Sequence, residues 1–404
     1  MNFRKLTAIT IFFILYIQSL APAIPLTSSN LIQKKITLKL TLNSIADITI
    51  EKAALKYNKR LAFSFTLDDG YRSAFLCAYP LLNGGKVSPA FVDGWSKDQG
   101  GDDGVSKGLY YSDGCGHQVP FKLALAVNAS SLKDARPERG NLNWNEVKIL
   151  YQAGWDILNH SFRHSTKHGT NYEAEVVENN EAMRKELGFT LAHFVVPGGE
   201  SDPGYDMEYA KAAFKNGLYS VATTSGAGPV IDVSKPVDLN NLIYNRVFVR
   251  SDTVSNNFKM VNQQLKNIDA LLQRPEATWY NEFSHGVGND NLWGISLTYP
   301  DFKHYMTMLA DSHGVKGDDN LWMAPWQEVY EYLWLRDKTE IKTRRKGKEV
   351  VIELFLPEIP TSFRHHALSL VVNTSAKFNT LSQDSEVAMT SNGSSAHNLI
   401  NIAW

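Results

Sequence analysis

From residue 61 onward, short runs of apolar residues alternate with longer stretches in which apolar positions recur every three or four residues. The first kind of run suits a strand buried on both faces, and the second a helix with one face on a core. The pattern predicts strands at 61–67, 122–127, 156–159, 191–196, 219–223, 246–249, 278–283 and 321–323. Between them it predicts helices at 71–82, 144–153, 172–187, 207–216, 258–272, 302–312 and 326–335. Gly154, Gly188, Gly217 and Gly314 each follow a predicted helix, where a C-terminal cap favours a residue that tolerates positive φ. Such repetition predicts an α/β fold, a distorted (β/α) barrel of about seven parallel strands.

Three stretches depart from this rhythm. Residues 35–50 alternate apolar and polar (Ile36, Leu38, Leu40, Leu42), which predicts an exposed strand or hairpin ahead of the barrel. Residues 93–120 are rich in glycine and aspartate and read as a long solvated loop; their acidic spacing is not that of an EF-hand. After Leu335 the helical period stops, and 349–356 and 367–372 read as strands. The expected organisation is therefore a leader at 1–25, an N-terminal β extension at 26–59, the barrel at 60–338 and a small all-β appendage at 339–404.

The leader is read from its own pattern. Asn2-Phe3-Arg4-Lys5 is a short basic start, Leu6 to Ile17 is almost wholly apolar, and Ala21-Pro22-Ala23 offers small residues for cleavage. The apolar run is roughly a dozen residues, below the ~20 needed to span a bilayer. This predicts a secretory signal and an exported protein, periplasmic or extracellular, with no stable membrane span after cleavage; an uncleaved anchor is the alternative. The net charge of −1 gives no electrostatic case for a nucleic-acid partner. Two cysteines, Cys77 and Cys115, could be bridged in an exported chain; the favoured alternative is two unpaired cysteines, since spacing alone does not place their Cα atoms within reach.

The chemistry sits at two predicted strand ends. Thr66-Leu67-Asp68-Asp69-Gly70 closes the first barrel strand, and His160-Ser161-Phe162-Arg163-His164 closes the third. Two adjacent carboxylates and two imidazoles meet the needs of a hydrolytic metal site. One carboxylate joins the histidines on the ion, and the other stays free to accept a proton from water. If residues 160–164 form a helical turn, the four-residue spacing brings the two imidazoles onto one side, with Cβ atoms about 5–6 Å apart. An Asp-Asp-Gly alone also serves as a turn, so the pairing carries the reading.

These two segments resemble the signature motifs of the polysaccharide deacetylase family, the NodB homology domain of carbohydrate esterase family 4. Its first motif is Thr-Phe-Asp-Asp-Gly, with Leu67 here in place of phenylalanine; its second, His-Ser/Thr-x-x-His, is matched in full. The resemblance spans about residues 60–335. It implies Asp68 as general base, with Asp69, His160 and His164 holding one divalent cation, usually zinc, other divalent transition metals remaining open. It further implies His285, in Phe283-Ser284-His285-Gly286, as general acid. The third motif departs: Val195-Val196-Pro197 stands where the family has Arg-x-Pro, whose arginine orients the catalytic aspartate. Arg163 and Arg246, each at a neighbouring strand end, are the two replacements to weigh. No tryptophan is a clear counterpart of the fourth motif.

The implied activity is hydrolysis of N- or O-linked acetyl groups on an acetylated polysaccharide or oligosaccharide. The altered third motif leaves two alternatives: a hydrolase of another non-peptide amide or ester, or a catalytically impaired carbohydrate-binding protein. Trp95, Tyr110, Trp293 and Trp322 are groove-lining candidates for stacking on sugar rings, against a more ordinary place in the core. His117 is a further histidine candidate near the site, against an ordinary loop position.

Overall fold

Leu61–Leu67 (β1) leaves no side chain in water, which is why its sequence is nearly unbroken apolar rather than alternating. It forms the middle of a mostly parallel sheet in the computed structural model, which describes residues 34–89, 100–133, 140–198, 203–224, 228–251, 258–288, 296–393 and 398–404. The other strands are Ala124–Val127 (β2), Asp156–Asn159 (β3), His193–Val195 (β4), Ser220–Thr223 (β5), Leu242–Asn245 (β6), Val247–Phe248 (β7), Thr278–Ser284 (β8) and Leu321–Met323 (β9). Parallel pairing runs β8–β1–β2–β3–β4–β5–β6. The ring then closes, because β7 pairs with β8 while β6 pairs with β5, and only Arg246 separates β6 from β7. Counting β6 and β7 as one broken strand, the barrel has the roughly seven strands expected of the pattern. β9 wedges against the start of β1, and Val230–Asp232 runs antiparallel to the start of β8.

The surrounding helices are Trp144–Gln152 (α1), Tyr172–Leu187 (α2), Pro203–Lys215 (α3), Lys259–Leu272 (α4), Tyr299–His313 (α5) and Trp326–Lys338 (α6). Asn143 and Glu146 form a capping box at the start of α1, and Gly188 ends α2 in the left-handed conformation. Trp326 enters the barrel, donating its indole N–H to Ser220 Oγ at 3.0 Å and packing against Trp279 and Tyr244.

Several expectations are corrected. The helix predicted at 71–82 is a widened turn, Ala74–Ala78, followed by the short helix Tyr79–Asn83. Pro80 has no N–H to give Leu76, whose carbonyl instead accepts from Ser88 N–H at 3.0 Å. Gly314 does not take positive φ; a Cβ there would lie 2.4 Å from the Tyr110 carbonyl oxygen, so close approach explains it. The strand predicted at 246–249 begins earlier, at Leu242, on the far side of Arg246. The loop at 93–120 is described only from residue 100, and it carries the hairpin Tyr110–Ser112 with Gln118–Pro120.

The stretch at 35–50 is not a free-standing hairpin. Lys35–Leu42 lies between Glu349–Phe355 and Phe378–Ser382, burying Ile36, Leu38, Leu40 and Leu42. Ile48–Lys52 pairs instead with Ala367–Thr374 in a second sheet. The two ends of the described chain thus build two four-stranded antiparallel sheets together. The leader at 1–25, Trp95 and Trp293 lie outside the described residues. Among the described residues no helix is long and apolar enough to cross a membrane.

Candidate metal and hydrolytic site

The parallel register of β1 and β8 extends one step beyond the strands: Asp68 N–H donates to the Ser284 carbonyl at 2.9 Å. This brings the carboxylates after β1 beside His285, the residue after β8. His160 follows β3, so all of these groups collect at the C-terminal edge of the sheet, where a barrel leaves its strand ends open to chemistry.

Asp68 is nearly closed off from water. Arg246 Nη1 and Nη2 donate to its two carboxylate oxygens, each at 2.9 Å, and the guanidinium lies 4.1 Å from the centroid of the Phe283 ring. Arg163 points elsewhere: it binds Glu175 at 3.0 Å and Glu178 at 2.6 Å and is more than half exposed. Of the two replacements for the motif arginine, the structure brings Arg246 to Asp68. The break between β6 and β7 puts its side chain there, and the Arg246 N–H still donates to the Thr223 carbonyl across the seam.

Asp69 points to a different cluster. Its Oδ1 is 3.3 Å from His160 Nε2 and 3.2 Å from His164 Nε2, and these ligand atoms lie within 4.8 Å of one another. Oδ1 is buried and has no properly aligned hydrogen-bond donor. Three lone pairs converging on one point, with the oxygen left without a donor, fit a shared cation of the N/O type. His160 Nδ1 is 2.9 Å from the Val195 carbonyl, a contact that directs Nε2 toward Asp69 in the way a metal-bound imidazole is usually oriented. Burial pushes the Asp69 carboxyl upward, but the two imidazoles outweigh it and hold the group well below the usual carboxylate range. His164 is shifted upward: burial lowers it, but Asp69 and then Asp68 outweigh that effect and raise it.

The expectation of a helical turn at 160–164 is overturned. Ser161 and His164 both have positive φ, 62° and 56°, and the segment is a loop in which the imidazole centroids lie 5.0 Å apart. Asp69 itself has φ 70°. Non-glycine residues held in this region cost of order 1–3 kcal/mol each and persist where the surroundings over-determine them.

His285 Nε2 is 3.9 Å from Asp69 Oδ2, and its ring lies near those of Phe248 and Phe283. His117 is not brought to the site; it pairs with Asp113, which is bound in turn to Thr390. Trp322 is fully buried in the core, which removes it as a groove residue, and the Tyr110 hydroxyl donates to the Lys107 carbonyl. Cys77 is buried and Cys115 partly buried, and no disulfide joins them. A cavity of about 730 Å³, lined by Tyr57, Asn58, Arg60 and Asp319 among others, includes none of the site's side chains.

Residues 57–221 match the family model described as polysaccharide deacetylase. That stretch belongs to the polysaccharide deacetylase family. The match contains Asp68, Asp69, His160 and His164 and ends before Arg246 and His285. Among solved structures the chain is similar to a deacetylase of Streptococcus pyogenes in complex with acetate, at 16% identity and TM-score 0.30, covering 46% of this chain and 63% of that one. It therefore spans less than two thirds of the streptococcal protein. It is also similar to a peptidoglycan deacetylase of Bacillus subtilis, at 12% identity and TM-score 0.35, covering 68% and 92%. A polysaccharide deacetylase of Bacillus cereus matches at 12% identity and TM-score 0.35, covering 66% and 91%. A comparison with curated proteins returns no match.

Sequence reasoning missed three features around this site. One is the Val195 carbonyl on His160, a backbone contact that any residue type could make. Another is the left-handed geometry of Ser161 and His164. The last is a set of buried asparagines, Asn128, Asn159 and Asn179, behind the histidine loop. A cluster of amides near a metal-binding motif was the available signal.

Proposed function

We propose that this chain is an exported, metal-dependent hydrolase that removes N- or O-linked acetyl groups from a carbohydrate polymer or oligosaccharide. The observation that carries this reading is the juxtaposition of two carboxylates in different roles. Asp68 is clamped by Arg246, while the neighbouring Asp69 turns to His160 and His164. The family match to residues 57–221 supports an acetyl-carbohydrate substrate class. Export rests on the basic start, apolar run and small residues of 2–23.

A divalent ion on Asp69, His160 and His164, zinc or another divalent transition metal, would supply a Lewis acid for the acyl oxygen and make the attacking water more acidic. Asp68 takes a proton from that water. Each of its oxygens accepts one bond from Arg246 and keeps lone-pair capacity for the proton, while the guanidinium fixes the plane of the carboxylate. His285, beside Asp69 and against Phe248, delivers a proton to the departing amine or alcohol. Water attacks directly, so no covalent bond to the chain is required.

The test is acetate release from a panel of N- and O-acetylated glycans, with and without a chelator. Release that stops with chelator and returns with added metal is expected. A metal-loaded protein that frees no acetate from any of them would overturn the assignment. N-terminal sequencing of the mature protein tests export, with cleavage near Ala23 as the expected result.

A further inference from the structure

The left-handed turn between the two histidines needs something to hold it. Ser161 is fully buried, and its N–H donates to Asn159 Oδ1 at 2.9 Å. The same oxygen accepts from Asn179 Nδ2 at 2.9 Å. Asn179 is fully buried on α2, outside the barrel, and its remaining bonds go to the end of β2. Its Nδ2 donates to the Val127 carbonyl at 2.9 Å, and its Oδ1 accepts from Ala129 N–H at 2.8 Å. Asn128 adds a clamp from the other side, donating to the carbonyls of His160 and Ser161. Asn159 uses its own Nδ2 on the Val176 carbonyl and Asn180 Oδ1, both at 2.9 Å.

We propose that Asn179 is a positioning residue for the metal site: through Asn159 it holds Ser161 in the conformation that turns His160 and His164 toward one ion. This rests on the metal reading given above. The chemistry of the contacts requires an amide at 179. Two N–H groups must meet two acceptors, the Val127 carbonyl and Asn159 Oδ1, while one oxygen must meet the Ala129 N–H. A carboxylate of the same shape would set oxygen against both acceptors, and a hydroxyl is too short to span them. The strain that this brace holds belongs to Ser161, where glycine would take positive φ without a Cβ penalty.

The experiment measures the dissociation constant of zinc by chelator competition, together with the melting temperature of the metal-free protein. Asn179→Asp is expected to weaken zinc binding on the order of 10–100-fold, the usual effect of losing an outer partner of a metal site. Adding Ser161→Gly in the same chain is expected to recover most of that loss. Should Asn179→Asp fail to fold, Asn179→Ala, which leaves a polar gap that water can enter, is compared in the same way. A folded variant with unchanged zinc affinity overturns the proposal, as does a loss that Ser161→Gly leaves in place. A merely structural asparagine would lower the melting temperature and leave the affinity of the folded protein alone. A wild-type protein that takes up no divalent ion overturns the metal reading as well, which separates the two failures.

Discussion

Each carboxylate oxygen of Asp68 accepts a hydrogen bond from a different terminal nitrogen of Arg246, and the side chains are only 3% and 2% exposed. The two residues stand 178 positions apart in the chain. The guanidinium absent from position 195 is thus supplied from the barrel seam. Bidentate pairing fixes the carboxylate in plane as well as in charge, which a lysine would not do. Arg246→Leu is expected to lower kcat on the order of 100-fold through misplacement of the Asp68 carboxylate. Arg163→Ala, whose partners are Glu175 and Glu178, is the control and should leave kcat unchanged. A kcat in Arg246→Leu equal to that of the wild type would show that this cation does not position Asp68.

Asp68→Asn should abolish turnover while keeping the bound ion. The amide cannot take a water proton, and Asp69 with both histidines is untouched. A loss of 10²- to 10⁴-fold is the usual worth of a general base. Because the variant also leaves Arg246 buried without its counter-charge, a stability cost of about 3–5 kcal/mol should accompany it. Turnover near that of the wild type would assign the base to another group.

Elemental analysis of the purified protein should find about one divalent ion per chain, as expected for a single three-ligand site. His160→Ala should lose it. Val195→Ala should not, because position 195 meets His160 through its backbone carbonyl. Metal retained in His160→Ala would remove the proposed cluster.

Glu282 on β8 makes the fold itself pH-dependent. Burial pushes its carboxyl up to about 8, against the weaker opposing effect of the Tyr305 and Tyr280 hydroxyls, and the Tyr305 hydroxyl lies 2.7 Å from Oε2. The native state therefore keeps a proton that the unfolded chain has already lost above its ordinary value of 4.5. Stability should fall as pH rises through that window, by up to about 1.4 kcal/mol per unit, and level off above the folded value. Urea unfolding across the window should show that slope in the wild type and a flatter one in Glu282→Gln. Equal slopes in the two proteins would show that Glu282 is ionised in the native state.

The fold was readable where side-chain type determines environment. β1 is an apolar run long enough for one strand, and α2 matches its predicted limits at both ends. The convergence of Asp69, His160 and His164 was readable for the same reason, since carboxylate and imidazole at strand ends have few other uses together. The path of the backbone between His160 and His164 was not, because serine and histidine give no sign of positive φ. Arg246 could be named only as one of two replacements. Which guanidinium reaches Asp68 depends on how β6 and β7 exchange partners across the seam, a relation between strands far apart in sequence. Glu349–Phe355 and Ala367–Thr374 were visible as strands, but alternation does not say that their partners would be Lys35–Leu42 and Ile48–Lys52.

Leu38 sits opposite Ser382, so the first described strand must wait for residues roughly 340 positions later before its edge is covered. During synthesis these early residues emerge as an unpaired, alternating segment with nothing to dock on. The barrel's own long-range pairings, β1 with β8 and β9, are complete by Met323, before Phe378–Ser382 has been added. Shortening the chain from its C-terminal end would therefore be felt at residue 38 before it was felt at Asp69, His160 and His164. A protease that samples the final stage of folding should nick the region around residues 35–42 first, while the barrel is already resistant.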